Sequence, residues 1–401
     1  MQTVSVIGLG YIGLPTSALL AQNNFNVCGV DINPKIVDAV NAGNCPIEEA
    51  GLPELLHEQV MSGRLKAFAT PMKADVFLII VPTPFIAENK EADMSYVRQA
   101  AKDIAPLLEA ANLIVLESTS TVGATRMDVM QVIYNERPEL QDKLYFAFCP
   151  ERAIPGDTLR ELIHNDRVVG GVDNASTEKA FAFYSQFVKG DVLKTDANTA
   201  ELVKLTENAF RDVNIAFANE MSLVCDKLGL DVFNVIKMAN HHPRVNIMIP
   251  GPGVGGHCIA IDPWFIHKAA PEVTPLIHSA RLVNDGKPEW VLNQIEQALK
   301  GTNSRKLGLL GLAYKPNVDD MRESPSLKIA REAQKRWPDV SVEVCEPYAE
   351  MPEFTNVAVA ELVANNDVIV MLTGHKDFKA ITPDMLKNKT VIDTCGYFSV
   401  N

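Results

Sequence analysis

The stretch Gly8-Leu9-Gly10-Tyr11-Ile12-Gly13 decides the fold of the first part of this chain. It fits the pattern G-x-G-x-x-G and stands between an apolar run, Val4 to Ile7, and a helical run, Leu14 to Ala21. Glycines at these places allow a tight turn and let the backbone approach a pyrophosphate, whose charge the following helix N-terminus stabilises. A glycine-rich turn that binds nothing is the alternative. The context favours a dinucleotide site that consists of Gly8, Gly10, Tyr11, Ile12 and Gly13.

Asp31 indicates which dinucleotide this site takes. It ends the second apolar run, Val27 to Val30, 18 residues after Gly13. A carboxylate there can accept hydrogen bonds from ribose hydroxyls and repels a 2′-phosphate, which predicts NAD rather than NADP. Two later strand ends predict that Thr83 and Thr119 also contact the cofactor, although threonine equally suits an ordinary turn.

Working outward, the chain predicts three segments. Apolar runs alternate with helical patterns as far as about Asp196, as a parallel doubly wound sheet requires. A long amphipathic stretch from Asn198 to about Cys225 follows, and helical pattern continues to Met238 and returns from Pro288 to Lys300. Strand and helix alternation resumes after Gly301.

The predicted fold class is α/β, with two Rossmann-like doubly wound α/β domains joined by a long central helix and a helical middle domain. The expected domains are 1–196 for NAD, 197–300 for the helical middle with its Lys/Asn helix and cysteine loop, and 301–401 for the C-terminal α/β unit. The cleft between the two α/β units is the natural place for chemistry. The predicted strands are Val4 to Ile7, Val27 to Val30, Val76 to Val81, Leu113 to Leu116, Tyr145 to Phe148, Lys306 to Leu310, Val340 to Val344, Asp367 to Leu372 and Thr390 to Ile392.

Composition excludes several classes of partner. A formal net charge of minus 13 disfavours nucleic acid and anionic membranes, which attract clustered Lys and Arg. The N-terminus has no basic leader, and no apolar run approaches the ~20 residues of a membrane span, so we expect a cytoplasmic protein. The seven cysteines are scattered without a C-x-x-C pair, which argues against a disulfide framework and a structural zinc site. His241 and His242 have no third ligand at metal spacing, so no metal is expected.

Two segments predict catalytic chemistry. Lys204, Asn208 and Arg211 recur at i, i+4 and i+7 and share one helix face, which alone could be a solvated stripe. The stretch from Pro250 to Pro263 has four glycines in six positions, then Cys258, with Asp262 four residues later. A thiol near a nicotinamide can trap an aldehyde as a thiohemiacetal, whose oxidation gives a thioester that water hydrolyses. Cys258 is therefore a candidate nucleophile, and a buried, inert cysteine is the alternative.

At these residues the chain resembles the UDP-glucose/GDP-mannose dehydrogenase family over essentially its whole length. Four segments fit in order: the glycine fingerprint, the helix with Lys204 and Asn208, the loop with Cys258 and Asp262, and the stretch from Lys315 to Pro325. Phe148 to Arg152, His242 to Asn246 and Gly255 to Ala260 favour members that act on UDP-N-acetyl-D-mannosamine. The chain reads Ile259-Ala260-Ile261-Asp262 after the cysteine, where UDP-glucose enzymes usually carry Phe-Pro-Lys-Asp.

The resemblance implies NAD-dependent oxidation of the C6 alcohol of a UDP-sugar to a carboxylate. Lys204 and Asn208 would stabilise oxyanions, Asp262 would assist proton movement, and Glu151 would orient or activate water. Arg322 would approach the cofactor. Residues that would contact the UDP-sugar are Arg152, Ala153, Lys204, Asn208, Arg211, His242, Arg244, Gly255, Tyr314 and Lys315. The resemblance also implies a homodimer in which Arg244 reaches the neighbouring subunit's substrate.

Three alternatives remain open at this point. Another UDP-hexose or GDP-mannose could be the substrate. A single-step 3-hydroxyacid or phosphogluconate-type dehydrogenase also joins a dinucleotide domain to a helix with Lys and Asn, but it leaves Cys258 and the C-terminal unit without a role. A non-catalytic NAD-binding protein would retain the fold, because function lies in sites and not in folds.

Overall fold

The computed structural model describes residues 2–153, 156–256 and 258–398. The chain divides into two compact units, Met1–Thr206 and Glu207–Asn401, and the division falls inside one long helix. The finer division into three domains stays a prediction.

The first unit contains a main β-sheet, and helices alternate with its strands along the chain. Its strands, in chain order, are β1 (Thr3–Ile7), β2 (Asn26–Val30), β3 (Leu65–Phe68), β4 (Val76–Ile79), β5 (Phe85–Ile86), β6 (Glu91–Ala92), β7 (Leu113–Leu116), β8 (Tyr145–Phe148), β9 (Arg167–Gly171) and β10 (Val192–Asp196). The helices are α1 (Gly13–Gln22), α2 (Pro34–Asn41), α3 (Leu52–Met61), α4 (Ser95–Ile104), a π-helix (Thr125–Met130), α5 (Gln131–Glu136), α6 (Thr158–His164) and α7 (Asn174–Tyr184). Short 3-10 turns span Ala105–Leu107 and Pro138–Leu140.

The strand order of this sheet is β10-β9-β8-β7-β4-β1-β2-β3, while β5 and β6 pair separately as an antiparallel ribbon. Pairing is parallel from β8 to β3, which confirms the predicted doubly wound sheet there. The strand β9 runs antiparallel to β8, and β10 is parallel to β9. The sequence did not predict β3, β9 or β10, nor this reversal.

Both faces of the sheet are buried. Val76 and Leu78 belong to one hydrophobic core, whereas Phe77 and Ile79 belong to a second core. Successive residues of a strand point to opposite faces, so the two cores lie on opposite sides of the sheet. A near-continuous apolar run such as Val76 to Ile79 is what a parallel strand covered on both faces requires.

The long helix α8 (Ala197–Leu228) leads into the second unit. There follow α9 (Val232–Ala239), α10 (Asp262–Ala269), α11 (Pro275–Thr302), β11 (Lys306–Leu310), α12 (Pro325–Arg336), β12 (Ser341–Cys345), β13 (Thr355–Asn356), α13 (Val359–Asn365), β14 (Val368–Met371) and β15 (Thr390–Asp393), with 3-10 turns at Pro271–Val273, Lys376–Ala380 and Pro383–Leu386. The sheet is parallel, in the order β13-β12-β11-β14-β15. The predicted second α/β segment is confirmed.

One helix boundary was predicted wrongly. The helix expected to begin at Pro288 begins at Pro275 and runs through that proline, which is buried. Proline inside a helical pattern usually ends or kinks the helix, because it lacks an N–H and clashes with the preceding turn. Here polar side chains before it hold the helix against α8. Arg281 Nη1 donates to Asp212 Oδ1 over 2.5 Å, and Asn284 Nδ2 donates to the same oxygen over 2.7 Å.

No helix among the described residues is both long enough and apolar enough to cross a bilayer.

Candidate active site

The glycines of the fingerprint have different structural causes. Gly8 has φ of +101°, and a Cβ there would lie 2.3 Å from Ile80 O. A Cβ on Gly13 would lie 1.8 Å from Gly8 O. Steric contact with the backbone is therefore sufficient to require glycine at both positions, whether or not a ligand binds. A Cβ on Gly10 would meet nothing within 4 Å. The open space at Gly10, three residues before the start of helix α1, fits a pyrophosphate that approaches the backbone.

Asp31 is fixed beside this turn. Its Oδ2 accepts from Leu9 N over 3.1 Å and its Oδ1 accepts from Asn33 N over 2.8 Å. A carboxylate has about four acceptor sites, so both oxygens can still accept from ribose hydroxyls. Next to it, the Ile32 side chain is 86% exposed. The sequence did not single out Ile32, although a large apolar residue stands there directly after the acid.

Hydrogen bonds join the two predicted threonine loops. Thr83 Oγ1 donates to Thr119 O over 2.7 Å. Ser118 Oγ donates to Val81 O over 2.8 Å, so the ends of the neighbouring strands β4 and β7 are held together. Both threonines therefore lie at the carboxyl edge of the sheet, where cofactor loops are found.

Glu201 ties the second of these loops to α8. This buried carboxylate accepts from Gly123 N over 2.5 Å and from Thr125 N and Oγ1 over 2.8 and 2.6 Å. Burial raises the pKa of Glu201, while the bonds from Thr125 and Gly123 lower it. In the sequence, Lys204, Asn208 and Arg211 stood out on this part of α8, and Glu201 did not.

Glu151 and Lys204 lie together at the same edge. Lys204 Nζ donates to Glu151 O over 2.7 Å. The Glu151 carboxylate accepts from Arg152 N over 2.6 Å, from Ala153 N, and from Arg167 Nη1 over 2.9 Å. An ammonium has three N–H groups, so Lys204 keeps two donors for another oxygen. Two of the predicted catalytic residues, Lys204 and Glu151, are thus adjacent. The predicted substrate residue Arg152 lies beside them, and its Nη2 donates to Asp166 O.

Asn208 and Asp262 form a second pair, in the second unit. Asn208 Nδ2 donates to Asp262 Oδ2 over 2.6 Å, and Asp262 is 1% exposed. Asp262 begins α10, and its N–H donates to Cys258 O over 2.8 Å. The Cys258 residue is partly exposed, unlike Cys225, which is buried. Cys258 therefore sits one turn before a buried carboxylate that an amide side chain holds.

The glycine-rich loop packs on the segment that carries Tyr314. A Cβ on Gly255 would lie 2.5 Å from Tyr314 Cβ, and one on Gly253 would lie 2.9 Å from Pro325 Cβ. Gly256 has φ of +76°, and its N–H donates to Arg322 O over 3.0 Å. At these positions the close neighbours of the glycines are side chains and backbone of the protein itself.

Tyr314 lies close to several predicted residues. The pKa of the Tyr314 phenol is raised, chiefly by burial and next by the charge of Asp320, with a smaller contribution from Cys258. The positive charges of Arg322 and Arg211 act in the opposite direction and lower this pKa. Arg322 forms a bidentate ion pair with Asp320, the closest approach being 2.6 Å. Arg322 thus pairs with a neighbouring carboxylate at the surface, and its contact with NAD stays a prediction.

The remaining predicted residues are exposed. They are Arg211, His242, Arg244 and Lys315. Arg244 N donates to His242 Nδ1 over 3.3 Å. Within residues 2–153, 156–256 and 258–398, Arg244 has no ion-pair partner, and no group of three or more His, Cys, Asp or Glu could hold a metal ion.

A polar ladder that the sequence reasoning missed supports the glycine-rich loop. Asn219, fully buried, accepts from Gly251 N over 2.9 Å and donates to Asn284 over 2.8 Å. Asp212 and Asn219 are seven residues apart on α8 and face α11. Polar residues at a heptad spacing on a helix were the available signal.

Sequence comparison matches the family in all three parts of the chain. The NAD binding domain of the UDP-glucose/GDP-mannose dehydrogenase family matches residues 2–188, its central domain matches 198–286, and its UDP binding domain matches 308–399. The chain belongs to the UDP-glucose/GDP-mannose dehydrogenase family.

Individual relatives match almost the whole length of this dehydrogenase. It is 46% identical to the NDP-N-acetyl-D-galactosaminuronic acid dehydrogenase of Ralstonia nicotianae, over 99% of this chain and 96% of that one. It is 46% identical to the UDP-N-acetyl-D-mannosamine dehydrogenase of Yersinia pestis, over 98% and 99%. The solved UDP-N-acetyl-mannosamine dehydrogenase of S. aureus superposes with a TM-score of 0.90 at 40% identity, over 100% and 96%. The predicted family, enzyme class and NAD cofactor are confirmed.

The two kinds of glycine predict a matched pair of variants. Gly13→Ala should lower the melting temperature, because its Cβ collides with Gly8 O and overpacking costs about 1–3 kcal/mol. Gly10→Ala should leave the melting temperature unchanged and weaken NAD binding at least about tenfold, or ~1.4 kcal/mol. Thermal unfolding without NAD and titration with NAD measure the two effects. Unchanged NAD affinity in Gly10→Ala would show that the pyrophosphate does not occupy this space.

Proposed function

We propose that this chain oxidises the C6 alcohol of UDP-N-acetyl-D-mannosamine to the carboxylate of UDP-N-acetyl-D-mannosaminuronate, with Cys258 as covalent nucleophile. The UDP binding domain and the relatives support a UDP-sugar as substrate. The observation that carries the covalent route is the partly exposed Cys258, whose carbonyl accepts from the N–H of Asp262 while Asn208 holds that carboxylate. A simple alcohol dehydrogenase needs no such cysteine.

The net reaction fixes what each residue must do. One alcohol, two NAD⁺ and one water give one carboxylate, two NADH and three H⁺. NAD, when bound at the fingerprint, accepts a hydride from C6 in each oxidation. The free donors of Lys204 and Asn208 would stabilise negative charge on the C6 oxygen. Asp262, buried beside Asn208, would assist the movement of the alcohol proton.

Cys258 keeps the aldehyde from leaving. Its thiolate adds to the aldehyde carbon to form a thiohemiacetal, and the second oxidation converts this to a thioester. Water oriented by Glu151 then adds to the carbonyl carbon, the C–S bond breaks and the thiolate leaves. Arg152, Ala153, Arg211, His242, Gly255, Tyr314 and Lys315 are proposed to contact the UDP-sugar.

Another nucleotide sugar is the alternative substrate. The relatives with an N-acetylmannosamine name and with an N-acetylgalactosaminuronic acid name are equally similar, at 46% identity each. Both relatives are named for an N-acetylated sugar, which supports an N-acetyl group on the substrate over UDP-glucose or GDP-mannose. The single-step and non-catalytic alternatives leave the Cys258 arrangement unexplained.

One experiment tests substrate and stoichiometry together. NADH formation is measured with UDP-N-acetylmannosamine, UDP-N-acetylgalactosamine, UDP-glucose and GDP-mannose. Initial rates give kcat/KM for each sugar, and reactions run until the sugar is consumed give the NADH formed per sugar. The proposal predicts the highest kcat/KM with the first sugar and two NADH per sugar consumed. Faster turnover of another sugar rejects the substrate, whereas one NADH with released aldehyde rejects the covalent route. Cys258→Ala should abolish acid formation and retain NAD binding.

We also propose a homodimer in which Arg244 contributes to the neighbouring subunit's site. Helix α8 carries an exposed apolar stripe at spacings of seven and four residues: Phe210 is 65% exposed, Phe217 50%, Val224 42% and Leu228 64%. Such a stripe is unusual on a monomer, and packing against the same stripe of a second copy about a two-fold axis would bury it. Arg244 is exposed with no ion-pair partner in the described part of the chain, so it remains available for an anionic substrate.

Subunit mixing tests this arrangement. Cys258→Ala and Arg244→Ala should each be nearly inactive alone. In a mixed dimer one site combines both defects, but the other pairs an intact Cys258 with an intact Arg244, so activity should reappear on co-expression. A matched mixture of Cys258→Ala with Lys204→Ala, whose residues would act in one subunit, should stay inactive. Confirmed mixed dimers of the first pair without activity would contradict the shared site.

A further inference from the structure

We infer that Arg167 is a positioning residue for thioester hydrolysis, because it holds the carboxylate of Glu151 at the sheet edge where water must be oriented. This inference rests on the proposed function, in which Glu151 orients that water. No part of the sequence reasoning assigned a role to Arg167.

Strand direction explains how Arg167 reaches this place. The first residues of parallel strands lie at the edge opposite their carboxyl ends. The strand β9 is reversed relative to β8, with Phe148 opposite Gly170 and Ala147 opposite Gly171. Continuing that register past β8 sets residue 151 opposite residue 167. The reversal therefore brings the first residue of β9 to the carboxyl edge, beside Glu151.

The contact itself is short and buried. Arg167 Nη1 lies 2.9 Å from Glu151 Oε2, with side-chain exposures of 5% and 11%. The N–H groups of Arg152 and Ala153 donate to the other oxygen, Oε1. Three donors from two directions thus fix the carboxylate plane. Removing the guanidinium would free one oxygen and leave rotation about the side chain restrained only by the local backbone.

Groups behind Arg167 prevent it from moving away. Its Nη2 donates to Leu162 O over 3.4 Å, and its Cζ lies 6.0 Å from the centre of the Tyr184 ring. Tyr184 in turn donates to Glu117 Oε1 over 2.5 Å. Burial raises the pKa of Glu117 to about 7, against the lowering effect of Arg167. A protonated Glu117 would not compete with Glu151 for the single guanidinium in this buried cluster.

The step at issue is a hydrolysis and involves no redox change. Water adds to the thioester carbonyl carbon, the C–S bond breaks, Cys258 leaves as thiolate, and the acid formed loses a proton. Both hydride transfers precede this step. A residue that acts only through Glu151 should therefore affect the release of acid and leave the two earlier steps unchanged.

The test compares Arg167→Met with Arg98→Met. Arg98 also pairs with a carboxylate, Asp128, at 2.7 Å, but its side chain is 47% exposed. Enzyme is mixed with UDP-N-acetylmannosamine and excess NAD, and NADH is followed in the first turnover and at steady state. Arg167→Met should form the first two NADH per site at the wild-type rate and then turn over about 100-fold more slowly, since a displaced group can cost about that factor. Arg98→Met should behave as wild type.

Two further measurements exclude a merely structural effect. Intact-mass spectrometry should show a Cys258-dependent sugar adduct that accumulates in Arg167→Met, and hydroxylamine should restore turnover by converting the thioester to a hydroxamate. Arg167→Lys keeps the charge but replaces the planar fork, whose two nitrogens bond Glu151 and Leu162 O, with a single nitrogen on a shorter group, so it should show the same pattern and carries the test if Arg167→Met does not fold. Slowed formation of the first NADH, or no adduct and no rescue, would overturn the inference.

Failure of the proposed function gives a different result. In that case wild type would itself form one NADH per sugar, or Cys258→Ala would still release acid. If wild type forms two NADH through Cys258 while the Arg167 variants accumulate no adduct, only the role of Arg167 is wrong.

Discussion

Acidic side chains that accept hydrogen bonds from backbone N–H groups hold the loops on which the candidate site depends. Asp31 accepts from Leu9 N in the fingerprint, Glu49 from Gly156 and Thr158, and Glu201 from Gly123 and Thr125. Loops at strand ends have few backbone partners of their own, and a buried N–H without an acceptor is costly. A carboxylate satisfies two or three such donors at once. These acids therefore stabilise the loops and set where their side chains lie.

The same interaction recurs in the second unit with a different consequence. Glu346 follows β12 as Asp31 follows β2, but it is 3% exposed and accepts from Leu312 N and Ala313 N over 2.7 and 3.0 Å. His375 Nε2 lies 3.1 Å from the same carboxylate. Glu346 is thus engaged in holding the loop before Tyr314, whereas Asp31 is partly exposed, as its predicted contact with a ribose requires.

The parts of the fold that follow from local patterns could be predicted from the sequence. Alternating apolar runs and helical periods located most strands, and the glycine fingerprint with Asp31 predicted an NAD-binding domain in this part of the chain, because each pattern depends on neighbouring residues. Strand direction does not, so the reversal of β9 was missed. Pro288 within α11 was read as a helix start, since the contacts of Arg281 and Asn284 with Asp212 that stabilise the helix join residues about 70 positions apart.

The residues of the candidate site divide in the same way, into those that the sequence indicated and those that only the structure shows. Cys258, Lys204, Asn208 and Asp262 stood out through residue type and spacing, and the structure places Asn208 on Asp262 and Lys204 on the backbone of Glu151. Arg167 gave no signal, because an arginine at the start of a short apolar run is usually a solvated end. Its proposed role depends on Glu151, a partner 16 residues earlier that the reversed strand brings close.

The covalent use of Cys258 is the central claim, and peptide mapping tests it most directly. UDP-N-acetylmannosamine with a radiolabelled sugar ring is mixed with enzyme and NAD, quenched in acid at successive times, and digested. The account predicts label on the peptide that contains Cys258, which appears before the carboxylate product and decays at the rate of turnover. Carboxylate that accumulates while no labelled Cys258 peptide forms at any time would contradict the account.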